Sequence, residues 1–204
     1  PIVRDIARRY VMNLHGERCG RLLDVGCGDG SFLARMKHLG WDVMGVEPDP
    51  RAARKTQEEL GIPVFNGPLT EARFDSGSFD AITLTHVIEH VEDPESLFRE
   101  CHRILKPTGK LSIATPNVES LGHRLFGAAW RELDPPRHLH IFSLKTLAAL
   151  VEGAVPSGFS VDYFASSGVF AGQILVISRN IRLKGAWVEQ TLTKRHVVMT
   201  VAYF

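Results

Sequence analysis

Long hydrophobic runs, a secretion signal and paired cysteines are all missing from this sequence. The longest nearly apolar stretch, Gly168 to Ile177, is too short to cross a bilayer. The opening segment PIVRDIARRY interleaves charges with apolar residues, unlike a signal peptide. The three cysteines (Cys19, Cys27 and Cys101) are an odd number without metal-ligand spacing, which favours a reducing compartment. We therefore expect a soluble cytoplasmic protein without a transmembrane segment.

A strong excess of charge is also missing. The 204 residues have a formal net charge of +1 at pH 7, whereas a dedicated nucleic-acid binder usually has a basic surface. No nucleic-acid partner is expected for this reason. The chain is long enough for one domain with a sizeable core. Because it does not begin with Met, it is expected to be a trimmed form or a fragment.

The most informative segment that is present runs from Arg21 to Gly30, with the sequence RLLDVGCGDG. An apolar run is followed by three glycines within five residues, which predicts a buried parallel strand, a tight turn and a helix. Backbone N–H groups at such a turn can hold a polar ligand, although a turn without any ligand is the alternative. The dinucleotide fingerprint G-x-G-x-x-G does not fit, because Ser31 stands at the position of its third glycine.

Strand and helix patterns alternate through most of the chain. The predicted strands are 22–25, 41–46, 62–65, 79–85, 110–114, 159–164 and 173–178, and the predicted helices are 2–16, 31–39, 50–60, 94–105 and 143–152. The alternation predicts an α/β fold, with a doubly wound, seven-stranded and mostly parallel sheet that ends in an antiparallel hairpin. We expect one domain over residues 1–180, in which the irregular stretch 116–142 is an insertion or a substrate lid.

The tail, residues 181–204, has a mild positive bias followed by an apolar end. Three interpretations stay open for it: an extra strand, a homodimer contact, or the remainder of a truncated segment.

Four segments in this order resemble the class I methyltransferases that depend on S-adenosylmethionine (SAM). They are D-x-G-x-G-x-G from Asp24 to Gly30, VMGVEPDP (43–50), GSFDAITLTHVIEHVEDP (77–94) and LKPTGKLSIATPN (105–117). The resemblance covers roughly residues 5–179 and looks strongest to ubiquinone-biosynthesis O-methyltransferases and related bacterial small-molecule enzymes. It implies a Rossmann-like fold, SAM as cofactor and methylation of a small-molecule acceptor, with O-methylation favoured.

The resemblance also implies which residues hold the cofactor. Glu47 would accept hydrogen bonds from the ribose hydroxyls, and Asp24 would support the loop and the cofactor's amino group, although Asp24 could equally just order the turn. The family's acidic residue after strand three is absent, so adenine would be held by the backbone around Leu69 and by apolar contacts from Pro48 or Phe65. The expected cofactor-binding residues are Asp24, Gly26, Cys27, Gly28, Gly30, Glu47, Pro48, Leu69, Thr85 and His86.

One further motif, H-x-x-E-H from His86 to His90, is the zinc signature of inverted metalloproteases. That arrangement needs one helix with both histidines on the same face. Here the motif begins where a strand ends, so we predict no metal site.

A hydroxyl acceptor must lose a proton, and histidine suits that role near neutral pH. The segment RELDPPRHLHIF (131–142) follows the fifth strand and contains two histidines. We predict His138 as the base, His140 as a second candidate and Asp134 as an orienting partner. For each histidine, a role in capping or packing is an equal alternative.

Other functions stay open at this point. The acceptor could be a lipid-linked or polymeric glycan instead of a small molecule. A nicotinamide-dependent oxidoreductase is disfavoured by Ser31, and a SAM-binding module without catalysis would require a lid without a usable base. The identity of the acceptor and the oligomeric state are not specified by the sequence.

Overall fold

The computed structural model describes residues 12, 14, 17–166 and 172–179. The strands in these ranges are β1 (Arg21–Val25), β2 (Asp42–Glu47), β3 (Val64–Asn66), β4 (Phe79–Thr85), β5 (Leu105–Pro116), β6 (Phe159–Ser166) and β7 (Gly172–Arg179). The α-helices are α1 (Ser31–His38), α2 (Pro50–Leu60), α3 (Pro94–Ile104), α4 (Leu121–Phe126) and α5 (Leu144–Ala154). The predicted N-terminal helix lies almost wholly outside the described residues, and the 181–204 tail lies entirely outside them.

The strands of the described chain form one sheet in the order β3-β2-β1-β4-β5-β7-β6. β1 to β5 pair in parallel, whereas β7 pairs antiparallel with β5 and with β6. The predicted α/β, Rossmann-like architecture is confirmed. The strand order reverses between β1 and β4, and the carboxyl ends of the strands at such a reversal are the usual place for a ligand in sheets of this kind.

Both faces of the sheet are buried. Leu22 of β1 packs in a cluster with Leu33 of α1, while its neighbour Leu23 packs in a second cluster with Phe98 of α3. Adjacent strand residues point to opposite faces, so a strand that is apolar at consecutive positions requires helices on both sides. Among the described residues no helix is long and apolar enough to span a membrane.

Both helix starts that are predicted from a proline residue are present in the structure. Pro50 and Pro94 each stand in the first turn of a helix, and Asp49 and Asp93 cap these helices by accepting hydrogen bonds from backbone N–H groups. Proline is favoured there because its missing N–H would have no partner inside the helix. Gly61 ends α2 with φ of 58°, as expected for a glycine at the helix end.

The fifth strand is longer than the predicted 110–114 segment and follows α3 without a separate turn. Phe79 pairs with Leu105 and Ala81 with Lys110, so residues 106–109 of β5 bulge out of the ladder. The proline and glycine in this stretch made it resemble a turn. The predicted turn is in fact a bulge inside one strand.

The predicted lid, residues 116–142, is less irregular than expected. It contains α4, which is capped by the Ser120 hydroxyl, and short 3-10 turns at Gly127–Ala129 and Arg131–Leu133. Its two ends meet, because Asn117 forms a parallel bridge with Phe142 and Val118 N donates to Phe142 O at 3.0 Å. The lid therefore leaves the carboxyl end of β5 and returns to nearly the same place.

The contact between Gly45 and Cys27 generates a prediction about stability. A Cβ on Gly45 of β2 would lie 2.5 Å from Cys27 Sγ and 3.1 Å from Leu33 Cδ1. We expect Gly45→Ala to lower the free energy of unfolding by about 1–3 kcal/mol through overpacking. In a Cys27→Ala background the sulfur is gone, so the same substitution should cost less. Urea denaturation of the wild type, the two single variants and the double variant measures the coupling between Gly45 and Cys27. If Gly45→Ala lowered the free energy of unfolding equally with and without Cys27, the predicted clash with the sulfur would be wrong.

Candidate cofactor and acceptor site

The glycine loop after β1 is built around three left-handed glycines. Gly26, Gly28 and Gly30 have φ of 72°, 54° and 73°, a region that other residues rarely adopt. A Cβ would meet Val87 Cγ2 at 2.6 Å if added to Gly26, and Thr56 Cγ2 at 2.5 Å if added to Gly30, but at Gly28 it would meet nothing within 4 Å. The backbone of Gly28 therefore faces an open cradle that a ligand can approach closely.

Glu47 stands beside this cradle at the end of β2. Its Oε2 accepts a hydrogen bond from Gly28 N at 2.8 Å, and its Oε1 accepts one from Asp49 N at 2.9 Å. Asn66 of β3 fixes the following turn by donating from Nδ2 to the carbonyls of Glu47 and Pro48. A partly exposed carboxylate with remaining lone pairs is thus held next to Gly28, where it can accept hydrogen bonds from hydroxyl groups.

Asp24 is a carboxyl group inside the sheet. It pairs in register with Thr83 of β4, whose Oγ1 donates to Asp24 Oδ1 at 2.6 Å. Burial raises the pKa of Asp24 to about 7, and the negative charge of Glu47 adds to this effect, against the opposing Thr83 hydrogen bond and the Arg35 charge. Asp24 therefore holds a proton more readily than an ordinary carboxyl group, and a nearby cationic group would favour its ionised form.

The remaining predicted cofactor residues lie along the same edge of the sheet. Some of them expose only their backbone to a ligand, whereas others also expose their side chain. The Cys27 side chain is buried, and burial raises the pKa of its thiol to about 12, so only its backbone is available to a ligand. Leu69 is likewise in the core, at 3% exposure, and offers only its backbone. Pro48 and Thr85 are exposed, and each stands at or just beyond the end of a strand, β2 and β4 respectively.

His86 begins the turn after β4 and has φ of 53°. Its Nδ1 donates to Glu89 Oε1 at 3.1 Å, and Glu89 Oε2 accepts from Thr115 Oγ1 of β5 at 3.0 Å. The hydrogen bond and charge of Glu89 raise the pKa of His86. Burial opposes ionisation of Glu89, but hydrogen bonds from His86, from its own backbone and from Thr115 hold the pKa of this carboxyl below its usual range.

The same glutamate holds the lid in place. The backbone N–H groups of Leu139 and His140 donate to the Glu89 carbonyl at 2.7 and 3.2 Å. The His140 ring donates from Nε2 to the Val91 carbonyl at 3.1 Å. Both predicted base candidates therefore belong to a lid segment anchored on the turn after β4.

His138 keeps one ring nitrogen for other partners. Its Nδ1 donates to the Glu132 carbonyl at 2.7 Å, and its ring lies 4.7 Å from the His90 ring, centroid to centroid. The prediction that Asp134 orients His138 is wrong for the ring nitrogen, because the Asp134 carboxylate pairs with Arg137 at 2.6 Å. Asp134 lies three residues before Arg137 and four before His138, and its carboxylate forms an ion pair with the arginine instead. A small cavity of about 160 Å³ adjoins His138.

The H-x-x-E-H segment does not form one helix with both histidines on a single face. Only Ile88–His90 is a short 3-10 turn, and His90 Nδ1 donates to the Arg137 carbonyl at 2.9 Å, away from the His86 contact with Glu89. Potential ligand atoms of Glu89, His90 and His138 lie within 4.8 Å of one another. Both Glu89 carboxylate oxygens already accept protein hydrogen bonds, and the proximity of these groups does not by itself identify metal ligands. The absence of a metal stays a prediction.

Sequence reasoning missed the part that Thr83, Thr115 and the Glu132 carbonyl play in the site. Each is polar, and the two threonines are buried, yet they contact residues 59, 26 and 6 positions away in the chain. A threonine inside an apolar strand, as in AITLT, was the available signal, because a buried hydroxyl needs a partner.

Comparison with known proteins identifies the family. A family model described as a methyltransferase domain matches residues 3–161. The ubiquinone biosynthesis O-methyltransferase of Pseudomonas aeruginosa (strain UCBPP-PA14) is 35% identical over 116 residues, 52% of this chain and 50% of that protein. The protein of that name from Xanthomonas axonopodis pv. citri is 40% identical over 103 residues, 48% of this chain and 43% of that protein. The chain thus spans about half the length of the curated relatives it matches.

Solved structures agree on the fold. A SAM-dependent methyltransferase from Thermotoga maritima aligns with a TM-score of 0.66 and 22% identity, covering 88% of this chain and 97% of that one. The 1,6-didemethyltoxoflavin-N1-methyltransferase of Burkholderia thailandensis, solved with bound 1,6-didemethyltoxoflavin and S-adenosylhomocysteine, aligns with a TM-score of 0.65 and 18% identity, covering 88% of this chain and 83% of that one. Through the matched domain and this shared architecture, the chain belongs to the class I SAM-dependent methyltransferase family, and its cofactor is SAM.

Proposed function

We propose that this protein transfers the methyl group of SAM to an oxygen atom of a small-molecule acceptor. The observation that carries the proposal is the open cradle at Gly28 with the Glu47 carboxylate beside it, on the same sheet edge as the lid. The relatives named for O-methylation, 35% and 40% identical over 50% and 43% of their own lengths, support the choice of acceptor atom.

The residues along the sheet edge fit the chemical groups of SAM. Glu47 accepts hydrogen bonds from the ribose hydroxyls, and Asp24 favours the cationic amino group at the other end. The backbones around Leu69 and Cys27, together with Pro48, line the space between. SAM supplies a methyl group already activated on a positively charged sulfur, so the protein's task is alignment of the acceptor and removal of its proton.

The lid is the proposed acceptor site, since it closes back onto the turn after β4. The partly exposed His138 is bonded through Nδ1 to the Glu132 carbonyl, and among the described residues its Nε2 has no hydrogen-bond partner, whereas the Nε2 of His140 is bonded to Val91. His138 and His140 therefore stay predictions as bases. The expected cytoplasmic location and homodimer also stay predictions.

The first prediction tests the ribose contact. Replacing Glu47 by Gln preserves the shape of the side chain but removes its charge, so the affinity for S-adenosylhomocysteine should fall by roughly 10-fold or more. Calorimetry measures the affinity, and the urea midpoint shows whether the loop stays folded. Glu59→Gln, on the exposed face of α2, is the matched control and should bind normally. If Glu47→Gln bound S-adenosylhomocysteine with wild-type affinity, the assignment of Glu47 as the residue that binds the ribose would be wrong.

The second prediction uses the titration of Asp24. Its pKa is about 7 in the ligand-free protein, and a bound ammonium group lowers that pKa, so SAM binding should release a proton. The affinity for SAM should consequently rise as the pH increases from about 5.5 to 7, by up to about tenfold per unit.

Asp24→Asn removes the titrating group, while its amide oxygen can still accept the Thr83 hydrogen bond. Its affinity should therefore be lower and flat over this pH range. Calorimetry in buffers of different ionisation enthalpy counts the released protons. Equal proton release by both proteins would show that Asp24 is not the linked group.

A further inference from the structure

The turn after β4 places one side chain at the junction of the cofactor loop and the lid. His86 adopts a left-handed backbone conformation, φ 53°, which is uncommon for residues other than glycine and clusters at functional sites. Its neighbour Val87 fills the space beside Gly26, where an added Cβ would meet Val87 Cγ2 at 2.6 Å. The His86 side chain is 53% exposed. It is therefore available to a ligand within one residue of the contact with the cofactor loop.

The contact with Glu89 fixes how the His86 ring is protonated. An ionised carboxylate only accepts hydrogen bonds, so the 3.1 Å contact requires a proton on Nδ1. In the neutral ring the lone pair then lies on Nε2, on the side away from Glu89. Glu89 has no solvent-exposed surface, and its charge stabilises the imidazolium that forms when Nε2 accepts a proton. This is the logic by which a buried carboxylate orients a histidine base.

Among the described residues neither lid histidine has a hydrogen bond to a carboxylate, although a Glu89 oxygen lies within 4.8 Å of a His138 ring nitrogen. His138 Nδ1 donates to the neutral carbonyl of Glu132, and His140 Nε2 donates to the neutral carbonyl of Val91. A carbonyl sets the position of the ring but adds no net charge to stabilise its protonated form. Of the three histidines, His86 has the arrangement of a general base.

We propose that His86 Nε2 accepts the proton of the acceptor hydroxyl during methyl transfer, and that Glu89 is its positioning residue. The inference rests on the proposed function. In the step, the bond between sulfur and the methyl carbon breaks and leaves its electron pair on sulfur. The acceptor oxygen forms the new bond to the methyl carbon, and its proton moves to His86.

Glu89 also connects the base to the acceptor site, because its carbonyl accepts the hydrogen bonds from Leu139 and His140 that hold the lid. One residue therefore sets the distance between the base and the segment that would bind the acceptor. The charged groups that act on His86 are Glu89 and, more weakly, Glu132 of the lid, and both raise its pKa.

The test does not require the acceptor. SAM and S-adenosylhomocysteine differ by one methyl group and one positive charge on sulfur, the charge that a base at the reacting centre would feel. The pKa of each histidine is measured by NMR of its ring in the full chain saturated with either ligand, and His86→Asn assigns the His86 signal. Asparagine suits this control because it tolerates a positive φ. We expect the pKa of His86 to be lower with SAM by roughly 1 unit, with little change at His138.

Glu89→Gln provides the second arm, because its amide oxygen still accepts from His86 while the charge is lost. The pKa of His86 should fall by roughly 1 unit in this variant with S-adenosylhomocysteine bound. A merely structural role for Glu89 would leave that pKa unchanged.

The outcomes separate the two claims. If both ligands bind and His86 titrates identically with each, the inference is wrong and the proposed function stands. If His138 responds to the sulfonium charge instead, the base lies in the lid and the inference is again overturned. If neither ligand binds the folded chain, the proposed function fails and the inference fails with it.

Discussion

A carboxylate that is completely buried can remain ionised only if the protein replaces the hydrogen bonds of water. Glu89 is such a group, at 0% exposure, and its partners are His86 at the start of the same turn and Thr115 in the next strand. Its carbonyl receives the backbone of the lid as well. The left-handed turn, the end of β5 and the lid are thus held in one arrangement by the need to satisfy a single side chain and its peptide group.

Two other carboxyl groups show how position changes chemistry along one sheet edge. Asp24 and Glu47 lie near the carboxyl ends of neighbouring strands, yet burial moves the pKa of Asp24 to about 7, while Glu47 is partly exposed and accepts hydrogen bonds from two backbone N–H groups. Each environment fits a different ligand group, a cation in the first case and hydroxyls in the second. The parallel pairing of β1 with β2 is what brings them together.

The sequence was sufficient for the parts of the fold that depend on local patterns. Apolar runs followed by glycine, and proline after aspartate, predicted strand ends and helix starts correctly, because the backbone conformation at those points depends on the residues themselves. The bulge at residues 106–109 could not be distinguished from a turn, since its form depends on the register with β4. The pairing of Asp134 with Arg137 and the anchoring of the lid on Glu89 likewise depend on contacts between distant segments.

The closed base of the lid has an evolutionary consequence. Asn117 and Phe142 lie side by side, so the chain leaves the sheet and returns to it at nearly the same place. Substitutions, insertions or deletions between these points need not disturb the register of β5 or the entry into α5, since the cost of loop closure changes slowly with loop length. Under the proposed role of the lid as acceptor site, the acceptor-binding part of the chain is therefore one continuous segment, whose length and sequence can change while the strands that carry the cofactor loop keep their pairing.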